Sequence, residues 1–326
     1  MKKLSSKIKF MLTVLIFLFV LTGCGKKNEI TYNFLSAKES ADVLGGIDYY
    51  YDSLGQKMLD FACQKKGGTA EEYREFSMNQ TLDYSDAEKE IIDNSIARIM
   101  KTIEENGYHL PDNTNISFAK TTMNEAPGAG GYTHETTIFL GQDYFDKIAN
   151  NADAEGINEY IDVVVSHELF HCLTRNNPDF RKAMYSIINF TINNDDFDIP
   201  QEIKYEMISN PDVRHHDSYA TFTINGEKKD CYLVFLTETT FEKPGDSFFN
   251  GMYTGLVDTN DGTLYKYTDA SDFYDVLGLN TTYCEDPEEC MATNFSYAIT
   301  YGINGPTNAG YKSPEIIESI IDYLKK

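Results

Sequence analysis

VVVSHELFHCL, residues 163–173, sets two histidines four positions apart with a glutamate between them, inside an apolar run of a chain that has only six histidines. On an α-helix, residues four apart lie on one face about one turn from each other, so His167 and His171 can offer their imidazoles to a single metal ion. Glu168, roughly 100° around from His167, is free to lean toward a water held there. This is the HExxH spacing. Neutral imidazoles suit Zn²⁺, whose open position holds a water of lowered pKa, and the neighbouring carboxylate takes the proton. The flanks agree. Val163, Val164, Leu169, Phe170 and Leu173 are apolar, and Glu168 is the one charge between Asp162 and Arg175, as a dry, preorganised site requires. The competing reading is a buried helix with two hydrogen-bonded histidines and a satisfied glutamate, which without a metal carries a heavy desolvation cost.

Two histidines do not complete a catalytic zinc site. A histidine six residues beyond the second is excluded, because residue 177 is Asn. That leaves a downstream glutamate or aspartate, of which there are many.

The rest of the 326-residue chain says where such a site works. Lys2, Lys3, Lys7 and Lys9 precede an uncharged run, Phe10 to Val20, which has the form of a secretion signal and is too short to span a bilayer core. LTGC follows, Leu21 to Cys24, and resembles the lipobox of bacterial lipoproteins. It implies a chain that begins at an acylated Cys24, anchored by lipid to the cell membrane, or to an outer membrane if the host has one, and facing an extracytoplasmic space. Residues 24–40 then read as a polar tether and 41–326 as the folded domain, divided into a helical part (41–110) and a catalytic part (111–326). With 41% hydrophobic and 13% aromatic residues, the chain can fill a large core. The net charge of −23 becomes −27 without residues 1–23, a surface that repels nucleic acid and anionic headgroups and favours cationic partners. Five cysteines remain beyond Cys24, so one must stay unpaired; Cys284 and Cys290 are close enough in sequence to bridge.

Periodicity and turn signals predict helices at 48–63, 85–106, 143–150, 156–174, 178–191, 270–277, 287–301 and 313–325. They predict strands at 115–122, 132–140 and through 218–268. The fold class is therefore α+β.

Four stretches together resemble a family of bacterial gluzincin-type zinc metallopeptidases: HELFHCLTRNNPDFRKAMYSIINF (His167–Phe190), SNPDVRHHDSY (Ser209–Tyr219), SFFNGMYTGLV (Ser247–Val257) and DPEECMATNF (Asp286–Phe295). The resemblance covers about residues 120–325. It implies a zincin-like fold, with the active-site helix between a mixed sheet and a helical C-terminal part. It also implies a third zinc ligand at the second glutamate of PEE, Glu289, beside His167 and His171. The local sequence fits, since proline followed by two acids opens a helix. Glu288 is the rival for that role; otherwise it reads as a solvated carboxylate at the helix start. Two positions depart from the family pattern: Asp286 replaces a histidine, and Thr293 replaces the acid that orients the first zinc histidine. Hydrolysis also needs a donor for the oxyanion, for which His216 and Tyr219 are the candidates. GYTHETTIFL (131–140) reads as a strand, either interior or an edge against which a peptide or protein substrate is laid. The expected function is a membrane-anchored zinc metallopeptidase with Glu168 as base. The alternative is an inactive zincin-like lipoprotein that binds a peptide or envelope component.

Overall fold

The computed structural model describes residues 30–111 and 115–326. The signal segment and Cys24 lie outside the described residues. Among those described, no helix is long and apolar enough to cross a membrane.

The chain opens with β1 (Tyr32–Phe34) and α1 (Ala37–Gly45), so the stretch expected as a tether is already structured from β1 onward. The Tyr32 and Phe34 rings pack on Phe118. Ser36 and Glu39 close a capping box on α1, a signal legible in SAKE. The helix expected over 48–63 is two, α2 (Asp48–Ser53) and α3 (Gln56–Ala62). The break falls at Gly55, where a Cβ would stand 2.0 Å from the Lys204 carbonyl oxygen, so only glycine allows the two chains so close. Next come α4 (Ala70–Met78), β2 (Thr81–Leu82) and α5 (Asp86–Asn106). Helix α5 is capped by Ser85 with Glu88 and ends on Gly107 at φ 63°, the left-handed stop that glycine favours.

Strand β3 (Ile116–Thr121) follows. The single strand expected over 132–140 is a hairpin, β4 (Gly131–His134) and β5 (Thr137–Gly141), turning at Glu135 with φ 52°. The first sheet is mixed: β1, β3 and β5 run parallel, β4 is antiparallel at one edge, and β2 pairs with β3. Its alternation separates two cores. Phe118, Ile138 and Leu140 face the main core with α5, whereas Ala119 and Phe139 face a smaller one built on Leu44, Tyr50, Met58 and Tyr73. Strand β1 and helix α5 pack into the same core as the helix that carries His167 and His171.

Helices α6 (Gln142–Asn150), α7 (Ile157–Asn176) and α8 (Pro178–Ile187) come next. Helix α7 is apolar on several faces because it is packed on several: β4 and β5, α5, α8 and the late helix α11 described below all touch it. Burial of Val165, Leu169, Phe170 and Leu173 stabilises this seat by about 2 kcal/mol per side chain. Asp162 on α7 adds a tie to α5, accepting two hydrogen bonds from Arg98 at 2.7 and 2.8 Å and one from Ser95 at 2.6 Å.

After β6 (Thr191–Ile192) and α9 (Gln201–Glu206), the region expected as strands forms an antiparallel sheet of β7 (Ser218–Ile224), β8 (Glu227–Thr237), β9 (Met252–Asp258) and β10 (Leu264–Lys266), with β6 at its edge. The chain ends with α10 (Phe273–Leu277), α11 (Pro287–Tyr301) and α12 (Pro314–Leu324).

Asp272, just before α10, accepts from the Thr223 backbone N–H at 2.7 Å, the Thr223 hydroxyl at 2.5 Å and Lys228 at 2.9 Å. Burial pushes its pKa up, but these bonds outweigh it and hold the carboxyl at about 2. A folded-state pKa below the unfolded one adds stability that is full above about pH 4 and is lost as pH falls toward 2. Urea unfolding of Asp272→Asn should show a loss of about 1–2 kcal/mol at pH 7 that shrinks toward zero near pH 2.

Candidate metal centre

Helix α7 presents His167 and His171 on one face, their ring centroids 4.9 Å apart. Opposite stands the first turn of α11, started by Pro287 and capped by Asp286, whose carboxylate accepts from the Glu288 backbone N–H at 2.8 Å. Asp286 is thus the cap of the helix that faces α7. Glu288 and Glu289 straddle the line of contact and reach different histidines.

Glu289, 1% exposed, places Oε2 3.0 Å from His167 Nε2 and accepts at Oε1 from the Asn210 amide at 2.8 Å. Glu288 is not the solvated carboxylate of the alternative reading. It is 5% exposed and accepts from His171 Nδ1 at 3.0 Å, Thr174 at 2.5 Å and Tyr185 at 2.6 Å. Burial alone would raise its pKa; the bonds and charge from His171, with Arg175 and Thr174, bring it to about 2. An ionised carboxylate only accepts, so the proton sits on His171 Nδ1 and Nε2 turns a lone pair inward. That Nε2 is buried and has no hydrogen-bond partner. It lies 3.9 Å from Glu289 Oε1 and 3.8 Å from Asp212 Oδ1.

Ligand-capable atoms of His167, His171 and Glu289 all lie within 4.8 Å of one another, as do those of Glu168, His171 and Asp212. These groups can hold a metal ion. The fit rests on His171: a bare imidazole nitrogen facing carboxylates is the donor set that a divalent cation satisfies, and an orientating carboxylate behind the ligating histidine is the usual companion of such sites. With Thr293 in place of an orienting acid, the carboxylate found behind a histidine is that of Glu288, and it meets the second histidine, His171. Glu288→Gln should weaken divalent-cation binding about 10- to 100-fold, measured by competition with a chelating dye.

Glu168 is 3% exposed and accepts from the Thr133 hydroxyl at 2.8 Å. Burial, helped by the charge of Glu289, pushes its pKa up to about 8 against the pull of Thr133 and Arg175. Gly131 on β4 crosses so near that a Cβ there would stand 3.1 Å from Glu168 Oε1. Strand β4 is thus an edge strand running beside the glutamate.

Asp212 escaped the sequence reading although it lies within SNPDVRHHDSY, where the paired histidines drew attention instead. It accepts from the Thr133 backbone N–H at 2.5 Å, and burial followed by the charges of Glu168 and Glu289 pushes its carboxyl up. Arg175, on the last turn of α7, donates to the carbonyls of Asp212 at 2.8 Å and Thr133 at 3.2 Å, tying that loop and β4 to the helix.

A cavity of about 510 Å³ opens over His167, Glu168 and Glu289, bordered by Gly130, Gly131 and Tyr283. Neither His216 nor Tyr219 lines it. His216 borders a neighbouring cavity, and Tyr219 sits in β7 opposite Thr191, its ring against Phe197. Pairing in the second sheet holds that tyrosine away. Tyr283 does line the cavity, its hydroxyl accepting from the Asn210 amide at 3.3 Å. The Cys284 and Cys290 sulfurs lie 3.8 Å apart, unbonded, and the five described cysteines are thiols.

Comparison with protein-family models, with curated proteins and with solved structures returns no match.

Proposed function

We propose that this chain is a zinc-dependent metallopeptidase of the gluzincin type, with a zincin-like fold, held at the cell membrane by lipid on Cys24 and hydrolysing peptide bonds. The single observation that carries the proposal is the bare, buried Nε2 of His171, backed by Glu288 and set with His167 and Glu289 around a common point. His167, His171 and Glu289 would hold the ion. Zinc bound there supplies Lewis acidity, which lowers the pKa of a water and polarises a carbonyl.

The chain's own residues do the rest. Glu168 takes the proton of the attacking water and passes it to the leaving amine. Its burial keeps the site dry, and the Thr133 hydroxyl fixes which oxygen faces the cavity. The open edge of β4, bordering the cavity at Gly131 and Tyr132, orients an extended substrate by backbone pairing. Tyr283 takes the donor role first assigned to His216 and Tyr219, because its hydroxyl borders the cavity beside Glu289.

Metal analysis of the purified chain should find one zinc ion per molecule, and the chain should cleave a random peptide mixture in a chelator-sensitive manner. A chain that binds no divalent cation after zinc loading ends the proposal.

A further inference from the structure

The cavity beside the metal centre extends to a second carboxylate that the proposed chemistry does not use. Glu125, in the loop between β3 and β4, is only 4% exposed and lines the cavity. Its Oε1 accepts from the Tyr132 hydroxyl at 2.9 Å. Its Oε2 is buried, and no donor closes on it with hydrogen-bond geometry; burial pushes the carboxyl's pKa up, and the nearby Thr121 hydroxyl, its own backbone N–H and the Tyr132 hydroxyl pull it only part of the way back. The hydroxyl of Tyr73 is already spent on the Glu125 backbone carbonyl, at 2.7 Å. A buried acceptor left bare is a destabilising arrangement, and the residue that carries it borders the cavity.

Tyr50, Tyr73, Tyr132 and Met58 line the same cavity, and two of these tyrosines, Tyr73 and Tyr132, hydrogen-bond Glu125. Tyrosine faces carry the negative side of a ring quadrupole and attract a cation, while their edges and the methionine accept a methylene stem. The charge of the cavity points the same way. Its lining holds five carboxylates, those of Glu125, Glu168, Asp212, Glu285 and Glu289, and neither lysine nor arginine.

We infer that the Glu125 end of the cavity is a specificity subsite for a lysine or arginine side chain of the peptide substrate, its stem lying along the tyrosines and its cationic head at the Glu125 carboxylate. A neutral donor such as a hydroxyl satisfies one lone pair but leaves the excess of negative charge. A cation does both. The inference rests on the peptidase proposal for what the ligand belongs to, but not for the chemistry of the subsite.

The test therefore has one arm that needs no hydrolysis. Calorimetric titration of the purified chain with n-hexylamine and with 1-hexanol should show the amine binding at least tenfold more tightly, and Glu125→Gln should remove that difference. Equal affinities, or an amine affinity unchanged in Glu125→Gln, overturn the inference; if the variant does not fold, the amine-to-alcohol comparison in the unaltered chain decides. The second arm uses one peptide framework carrying Lys, Arg, norleucine or Glu at a single varied position. Scanned along the framework, kcat/KM should favour Lys and Arg over norleucine at least tenfold at one position, and Glu125→Gln should erase the preference. Cleavage with no such position contradicts the subsite and leaves the peptidase standing, whereas selective amine binding with no cleavage supports the subsite and counts against the peptidase.

Discussion

Replacing Glu168 by Gln is expected to lower peptide hydrolysis about a thousandfold, the scale of a positioned general base, while bound zinc stays at one ion per chain. The amide oxygen still accepts from the Thr133 hydroxyl, now at 2.8 Å from the carboxylate, so the side chain keeps its place and loses only its ability to carry a proton. Because the proposed ligands are His167, His171 and Glu289, metal content should not follow activity down. Initial rates with a quenched-fluorescence peptide, beside metal analysis of the same sample, check both halves. Activity that survives would move the proton to Asp212, a buried carboxylate near His171 Nε2 that is not among the proposed ligands. Activity and zinc lost together would make Glu168 a ligand.

Stripping the metal with a chelator should lower the melting temperature by about 10 °C, reversed by adding zinc. The metal-free site gathers Glu168, Asp212, Glu288 and Glu289, all buried, with Arg175 donating beside them. Part of their mutual repulsion is relieved by a proton between His167 and Glu289, 3.0 Å apart, and part by the raised pKa values of Glu168 and Asp212. A divalent cation replaces those protons and offsets two of the cluster's charges. At a thousandfold excess over its dissociation constant it adds about 4 kcal/mol, and each kcal/mol moves the midpoint of a domain this large by about 2–4 °C. Differential scanning calorimetry with and without chelator reads the shift. Glu289→Ala should be nearly insensitive to chelator, and a melting temperature indifferent to metal in the unaltered chain would contradict a buried cation site.

Much of the architecture could be read locally. The isoleucines of α5 recur at helical spacing, Ser85 and Gly107 mark its ends, and Pro287 opens α11 where expected. The errors have identifiable causes. SAKE carried a capping box for α1, but the surrounding polarity suggested a tether, and TAEE carried one for α4, where no element was expected. GYTHETTIFL was taken as one strand because its turn is made by Glu135 and Thr136, without the glycine that usually announces a hairpin. Gly55 broke a helix for a reason, the Lys204 carbonyl, that lies 149 positions away in the chain.

By itself the sequence determined the pair of imidazoles and the glutamate between them, because helical spacing is a local property fixed by backbone geometry. Only the tertiary structure decided which acids meet that pair. Glu288 and Glu289 are neighbours in the chain, yet one steadies His171 and the other faces His167, while Asp212 arrives from a loop and His216 and Tyr219 are kept apart. Those assignments depend on how α11 lies against α7 and on which sheet holds each strand, and such contacts between distant segments leave no spacing in the sequence to read.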